Sequence, residues 1–240
     1  MILTSKTNSK IKALKKLHDK KYRELEGAFL VEGYHLVSEA LNKNLVLEIF
    51  ETPSSQKYPE STLISEEILS YLSTTITPQK ILAKVRKPTF NQKVNKIIAL
   101  NNLQDPGNVG TIIRLAKAFR FDTVIIENLD PYNEKVIRSS QGAFFDINII
   151  PTKNLEAQLI KLKERDYVVY QTLLDQEAIA LNDVNFVSNK LVIVVGNEGQ
   201  GISKQIQNYA DYKVYIPIDF ESLNVACATA IVLDKIRNKK

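Results

Sequence analysis

From residue 96 onward, runs of Val, Ile and Leu alternate with segments of helical periodicity. Residues 96–100, 123–127, 144–150, 167–173, 191–196 and 213–218 read as strands. Residues 108–120, 133–140, 154–165, 203–209 and 222–237 read as helices. Strands that are apolar throughout, rather than at every second position, need cover on both faces, and the intervening helices supply it. This rhythm predicts an α/β domain built on a parallel sheet. Ligands of such sheets bind at loops that leave the carboxyl ends of strands.

The first third reads as a smaller α/β unit: a helix over 8–24, a strand over 28–32, a helix over 34–41, a strand over 45–50 and a helix starting at Ser65. Lys87-Pro88-Thr89-Phe90-Asn91-Gln92 has linker composition, which predicts domains over 1–90 and 91–240. With 44% hydrophobic and 25% charged residues, the chain lies in the ordinary globular range, not the disordered one. No apolar run approaches the roughly 20 residues of a membrane span. The N-terminus has no secretory pattern, and Cys227 has no second cysteine to pair with. The expectation is a soluble cytoplasmic protein without a membrane partner. Two histidines and one cysteine make a zinc site improbable, so no metal is expected.

Positive charge is concentrated. Residues 1–23 hold eight basic residues and one acid, Asp19. That leaves −2 for the remaining 217 residues of a chain of net charge +5. A second tract, between Glu67 and Asp105, contains Lys80, Lys84, Arg86, Lys87, Lys93 and Lys96 and no acid. Such tracts suit a polyanion, because lysines near phosphates release counterions. A solvated helix face is the alternative. Lys10, Lys12, Lys15 and Lys16 are the candidate nucleic-acid contacts; Arg138, outside both tracts, could bind phosphate or pair with an acid.

Three loops carry unusual residues. Asn101–Gly110 runs Asn-Asn-Leu-Gln-Asp-Pro-Gly-Asn-Val-Gly into a helix with an expected buried stripe of Val109, Ile112, Ile113, Ala116 and Phe119. Asn108 reads as its N-cap, and Arg114 lies off the stripe as either a functional or a solvated side chain. Val195-Gly-Asn-Glu-Gly-Gln-Gly-Ile-Ser203 places three glycines after a buried strand. It lacks the Gly-Lys-Ser/Thr of a P-loop and the spacing of a dinucleotide fingerprint, so it is either a ligand loop or a tight turn. Ile216-Pro-Ile-Asp-Phe-Glu-Ser-Leu-Asn-Val225 precedes a helix rich in small residues, with Ser222 a possible N-cap.

In that order, the strings Asp105–Arg114, Val195–Ser203 and Ile216–Val225 resemble the SpoU (TrmH-like) RNA ribose 2′-O-methyltransferases of the SPOUT superfamily, in their two-domain type. Pro131–Ser140 and Phe29–Leu41 resemble further segments of the family. The resemblance implies a trefoil knot in the C-terminal half, S-adenosylmethionine as methyl donor, structured RNA as partner (ribosomal before transfer RNA) and a homodimer. It places Arg114, Asn108, Glu198, Ser222 and Asn224 in the catalytic site. It places Gly196, Asn197, Gly199, Ile216, Ile218 and Leu223 against the cofactor. The alternative is a non-catalytic RNA-binding or ribosome-assembly factor on the same fold, and base methylation is a third possibility. The chain departs from the family pattern at Asp219-Phe220-Glu221, where a glycine turn is common, at Arg120 and at Cys227.

Overall fold

The computed structural model describes residues 2–90, 94–173, 175–187, 189–219 and 221–238. In chain order its elements are β1 (Ile2–Leu3), α1 (Ser9–Lys16), α2 (Lys20–Glu26), β2 (Ala28–Glu32), α3 (Tyr34–Asn42), β3 (Val46–Glu51), β4 (Thr62–Ile64), α4 (Glu66–Leu72), β5 (Ile81–Arg86), β6 (Lys96–Leu100), α5 (Pro106–Ala118), β7 (Thr123–Glu127), α6 (Glu134–Ser140), β8 (Asn148–Thr152), α7 (Leu155–Lys163), β9 (Val168–Thr172), β10 (Ile179–Ala180), β11 (Leu191–Val195), α8 (Lys204–Gln207), β12 (Tyr212–Tyr215) and α9 (Val225–Arg237). They form two compact units. One is Met1–Thr89 with Tyr132–Phe145, and the other is Phe90–Pro131 with Asp146–Lys240.

The first unit holds a five-stranded mixed sheet in the order β1-β4-β3-β5-β2. Ile11, Leu14 and Leu17 pack on Leu30, Phe50, Ile64, Ile68, Leu69 and Leu82. The single helix expected over 8–24 is two helices. Asp19 ends the first run by capping α2, accepting from Lys21 N at 2.8 Å. Arg23, only 5% exposed, folds back and donates through Nη1 to the carbonyls of Leu17 and His18 at 2.8 and 2.7 Å. Those carbonyls lie at the break, where helical partners are lost. Arg23 is therefore buried structure, not part of a basic surface.

The sequence pattern puts residues 132–145 with the C-terminal half, but they group with the first unit. The reason is aromatic: Phe29 lies 5.0 Å from Tyr132 and 5.7 Å from Phe144, between ring centroids. Phe144 and Phe145, expected to open a strand, instead end a 3-10 turn, and β8 begins at Asn148. β5 crosses the second basic tract. Lys80 pairs with Glu66, Lys84 with Glu26 and Lys87 with Glu24, at 2.8, 2.5 and 2.8 Å. Pairs near the surface like these add little stability, but they neutralise three of this tract's six basic residues. Lys93 and linker residues Asn91 and Gln92 lie outside the described residues.

The second unit is a seven-stranded, all-parallel sheet in the order β10-β12-β9-β11-β6-β7-β8. β11 lies between β9 and β6, and all five of its residues are buried. Ile97, Ala99, Val169, Val192 and Val194 pack with Leu155, Leu159 and Leu162 of α7. α5 and α9 pack on each other. Among the described residues no helix is long and apolar enough to cross a membrane.

Glu51, at the end of β3, is fully buried. It accepts from Lys57 N at 2.9 Å, Tyr58 N at 3.0 Å and the Tyr34 hydroxyl at 3.0 Å. Burial pushes its pKa up, but these donors outweigh burial and hold the carboxyl below its ordinary 4.5. A depressed folded pKa gives stability that is present above the unfolded value and lost as pH falls through the folded one. Glu51→Gln should therefore cost about 1–3 kcal/mol at neutral pH and flatten the acid limb of stability below pH 4.5, as read by urea unfolding across that range.

Candidate active site

The loop after β6 enters α5 through Asp105, not through Asn108. Asp105 is the N-cap, accepting from Gly107 N and Asn108 N at 3.2 Å each, and Pro106 follows at the first helical position. Asn108 is thus released from capping. Its Nδ2 donates to Glu198 Oε1 at 2.9 Å, and its Oδ1 accepts from Asn224 Nδ2 at 3.1 Å. One amide therefore joins all three loops singled out in the sequence. Glu198 also accepts from Gln104 N at 3.4 Å. Burial pushes the Glu198 carboxyl up, while the Asn108 amide and nearby backbone N–H groups pull it down further, leaving it below its ordinary value.

The 196–203 loop is a closed structure. Asn197 and Gly201 exchange two backbone hydrogen bonds at 3.0 and 2.9 Å. Asn197 Oδ1 accepts from Gly199 N and Gln200 N at 2.9 and 3.0 Å. A Cβ on Gly196 would lie 2.3 Å from the Gly201 carbonyl carbon and 2.4 Å from Ile202 N. Only glycine fits there.

The third loop ends at Asn224, which caps α9 by accepting from Ala226 N and Cys227 N at 2.9 and 3.3 Å. The expected cap, Ser222, is exposed two residues earlier. Among the described residues, 216–219 and 221–223 make no backbone–backbone hydrogen bond. Ile218 and Leu223 are 37% and 39% exposed. Arg114 is exposed on α5, away from the buried stripe, and forms no ion pair among the described residues.

Asn108, Glu198 and Asn224 thus meet directly, and Gly196, Asn197 and Gly199 share the Glu198 loop. Arg138 belongs to the first unit, where Nη1 donates to Thr74 Oγ1 at 3.1 Å. Lys10 pairs with Glu48, and Lys15 donates to the Tyr71 carbonyl at 2.6 Å. Lys12 and Lys16 are exposed, with Lys16 lying 5.2 Å from the Tyr22 ring centroid. Sequence reasoning missed the cap at Asp105. It also gave no role to Asn101, Asn102 or Glu127, whose side chains reach partners on distant segments that no local pattern reveals.

Residues 95–234 match the model of the SpoU rRNA Methylase family, and residues 8–83 match the MRM3-like substrate binding domain. The chain belongs to the SpoU rRNA methylase family. It is 34% identical to 23S rRNA (guanosine(2553)-2′-O)-methyltransferase RlmP of Bacillus subtilis (strain 168), with 98% of each chain covered. A crystal structure of an RNA 2′-O ribose methyltransferase matches with TM-score 0.82 and 27% identity over 98% of both chains. An AdoMet-bound rRNA methyltransferase from Sinorhizobium meliloti matches with TM-score 0.83 and 26% identity, over 99% of this chain and 97% of that one. A small α/β unit followed by this all-parallel sheet is typical of the SPOUT knot fold. The chemistry present is compatible with S-adenosylmethionine: the third loop offers backbone donors and acceptors outside the secondary structure, and Ile218 and Leu223 offer exposed apolar side chains.

Gly196→Ala should push the Gly201–Ile202 peptide away from residue 196, at about 1–3 kcal/mol for overpacking. Thermal unfolding should show the loss, and calorimetric titration should show loss of S-adenosylmethionine binding.

Proposed function

We propose that this SpoU methylase acts on ribosomal RNA, with the cluster centred on Asn108 as its catalytic floor and Arg114 as its substrate-facing cation. The chain is an S-adenosylmethionine-dependent RNA 2′-O-methyltransferase. The observation that carries the site assignment is the Asn108 amide, which bonds Glu198 and Asn224 and so gathers the three motif loops at one place. Whole-length similarity to a relative named for 23S rRNA supports the ribosomal target.

When bound, S-adenosylmethionine supplies an electrophilic methyl group on a sulfonium. The chain's part is placement, since alignment of reacting groups accounts for a large share of such barriers. A guanidinium offers N–H donors and no acceptor, so the part of Arg114 is to bind and not to take a proton. It holds a target phosphate and ribose, and the hydroxyl proton leaves towards the phosphate it holds. Glu198, held below its ordinary pKa, is a carboxylate at neutral pH and not a proton donor. Its work is to fix Asn108 and the Gln104 backbone. Ser222 presents an exposed hydroxyl on the third loop. Gly196, Asn197, Gly199, Ile216, Ile218 and Leu223 hold the cofactor.

RNA is held by the first unit through Lys12 and Lys16, whose side chains make no ion pair or hydrogen bond among the described residues, whereas Lys10, Lys15 and Arg138 are engaged by Glu48, Tyr71 and Thr74. The working form is a homodimer, and Ile231, 42% exposed on α9, is an apolar side chain that such an interface would cover.

Arg114→Ala should abolish methyl transfer to total RNA from a strain lacking the gene while leaving calorimetric cofactor affinity nearly intact. Loss of cofactor binding by folded protein would remove Arg114 from the substrate side. Nucleoside analysis of the product should find a 2′-O-methylated ribose and no methylated base. Replacing Lys12 and Lys16 with Gln should lower RNA affinity and reduce the salt slope by about one for each lysine that faces a phosphate. The same change at Lys10 and Lys15 should alter the slope less.

A further inference from the structure

The carboxyl ends of β6 and β7 carry polar side chains that the reaction above does not use. Glu127, the last residue of β7, is 7% exposed, and Asn101, the first beyond β6, is 1% exposed. Asn101 Nδ2 donates to Glu127 Oε2 at 2.6 Å. The other carboxylate oxygen accepts from Leu155 N, at the start of α7, at 2.9 Å. Asn101 Oδ1 accepts from Ser203 N at 2.8 Å. The next residue on each segment repeats the link. Asn128 Nδ2 donates to Asn102 Oδ1 at 2.6 Å, and Asn197 Nδ2 donates to the Asn102 carbonyl at 2.8 Å. Asn102 and Asn128 both have positive φ, 55° and 58°, a region that asparagine enters more readily than most residues.

Two side-chain rungs therefore run from the end of β7, across the end of β6, to the 196–203 loop. One reaches Asn197 near the start of that loop and the other reaches Ser203 at its end. The inner rung has a fixed polarity. A carboxylate only accepts, so the Asn101 amide must turn its NH2 to Glu127 and its oxygen to Ser203. Buried groups of this kind have no water to fall back on, so a mispaired member displaces its neighbours.

We infer that Asn101 and Glu127 are positioning residues for methyl transfer, holding the 196–203 loop in its cofactor-binding form through the Ser203 amide. This rests on the reading that the loop binds S-adenosylmethionine.

The test exploits the polarity. Glu127→Gln places an NH2 against a donor, and Asn101→Asp sets two carboxylates side by side. Together the two substitutions restore every bond, with only the one between positions 101 and 127 reversed. The new amide at position 127 donates its NH2 to the new carboxylate at position 101, and its oxygen accepts from Leu155 N. That carboxylate still accepts from Ser203 N. Affinity for S-adenosylhomocysteine is measured by calorimetry, amide exchange is followed at Ser203, and methyl transfer is resolved into KM and kcat. Each single variant should bind about tenfold or more weakly, exchange faster at Ser203 and raise KM for the donor more than it lowers kcat. The double variant should return to within about threefold of wild type. Folded single variants that bind normally, or a double variant no better than either single, would overturn the inference, and so would single variants that do not fold if the double is no more stable than they are. Wild-type protein that fails to bind S-adenosylhomocysteine would instead sink the cofactor reading, and this inference with it.

Discussion

Where β6, β7 and β11 end, the sheet stops satisfying its own backbone, around residues that are buried at Asn101 and Glu127 and half-buried or exposed over 196–201. Every N–H and C=O there needs another partner. This chain answers mainly with amide side chains. Asn101 serves Ser203 N and Glu127, Asn197 serves Gly199 N and Gln200 N, and Asn224 serves the first N–H groups of α9. An amide both donates and accepts, so each can hold one loop while reaching for the next. The arrangement of all three functional loops depends on that double capacity.

Asn108 shows the principle most directly. Because Asp105 satisfies the first N–H groups of α5, the Asn108 side chain is left to couple Glu198 to Asn224. Capping and site assembly are divided between two residues three positions apart. Gly196 makes the complementary point with no side chain at all. The loop closes so tightly behind it that any Cβ would meet backbone less than 2.5 Å away.

Much of this was legible in the sequence. Continuous apolar strands separated by amphipathic helices announce a parallel sheet, and the sheet is all-parallel. The three loops stand out through glycine, proline and asparagine, residues whose backbone and side-chain preferences are local. What escapes a sequence reading depends on partners far along the chain. The break between α1 and α2 is sealed by buried Arg23, which reads in the sequence as one more surface cation. The tract over 80–87 looks like a polyanion surface until Glu24, Glu26 and Glu66 are found beside it. Residues 132–145 follow a strand of the second unit, yet their aromatic rings belong with Phe29 of the first. Charge and hydrophobicity are visible in a sequence, but their partners are not.

That last feature bears on biosynthesis. Nascent domains generally fold in order of emergence, but here the N-terminal unit stays incomplete until residue 145 has been made. Until then Phe29 lacks the rings of Tyr132, Phe144 and Phe145, and an apolar patch stays open to chaperones or to misassociation. A fragment cut at the linker would carry the same defect permanently, so the boundary that looks natural in the sequence is a poor place to divide this protein.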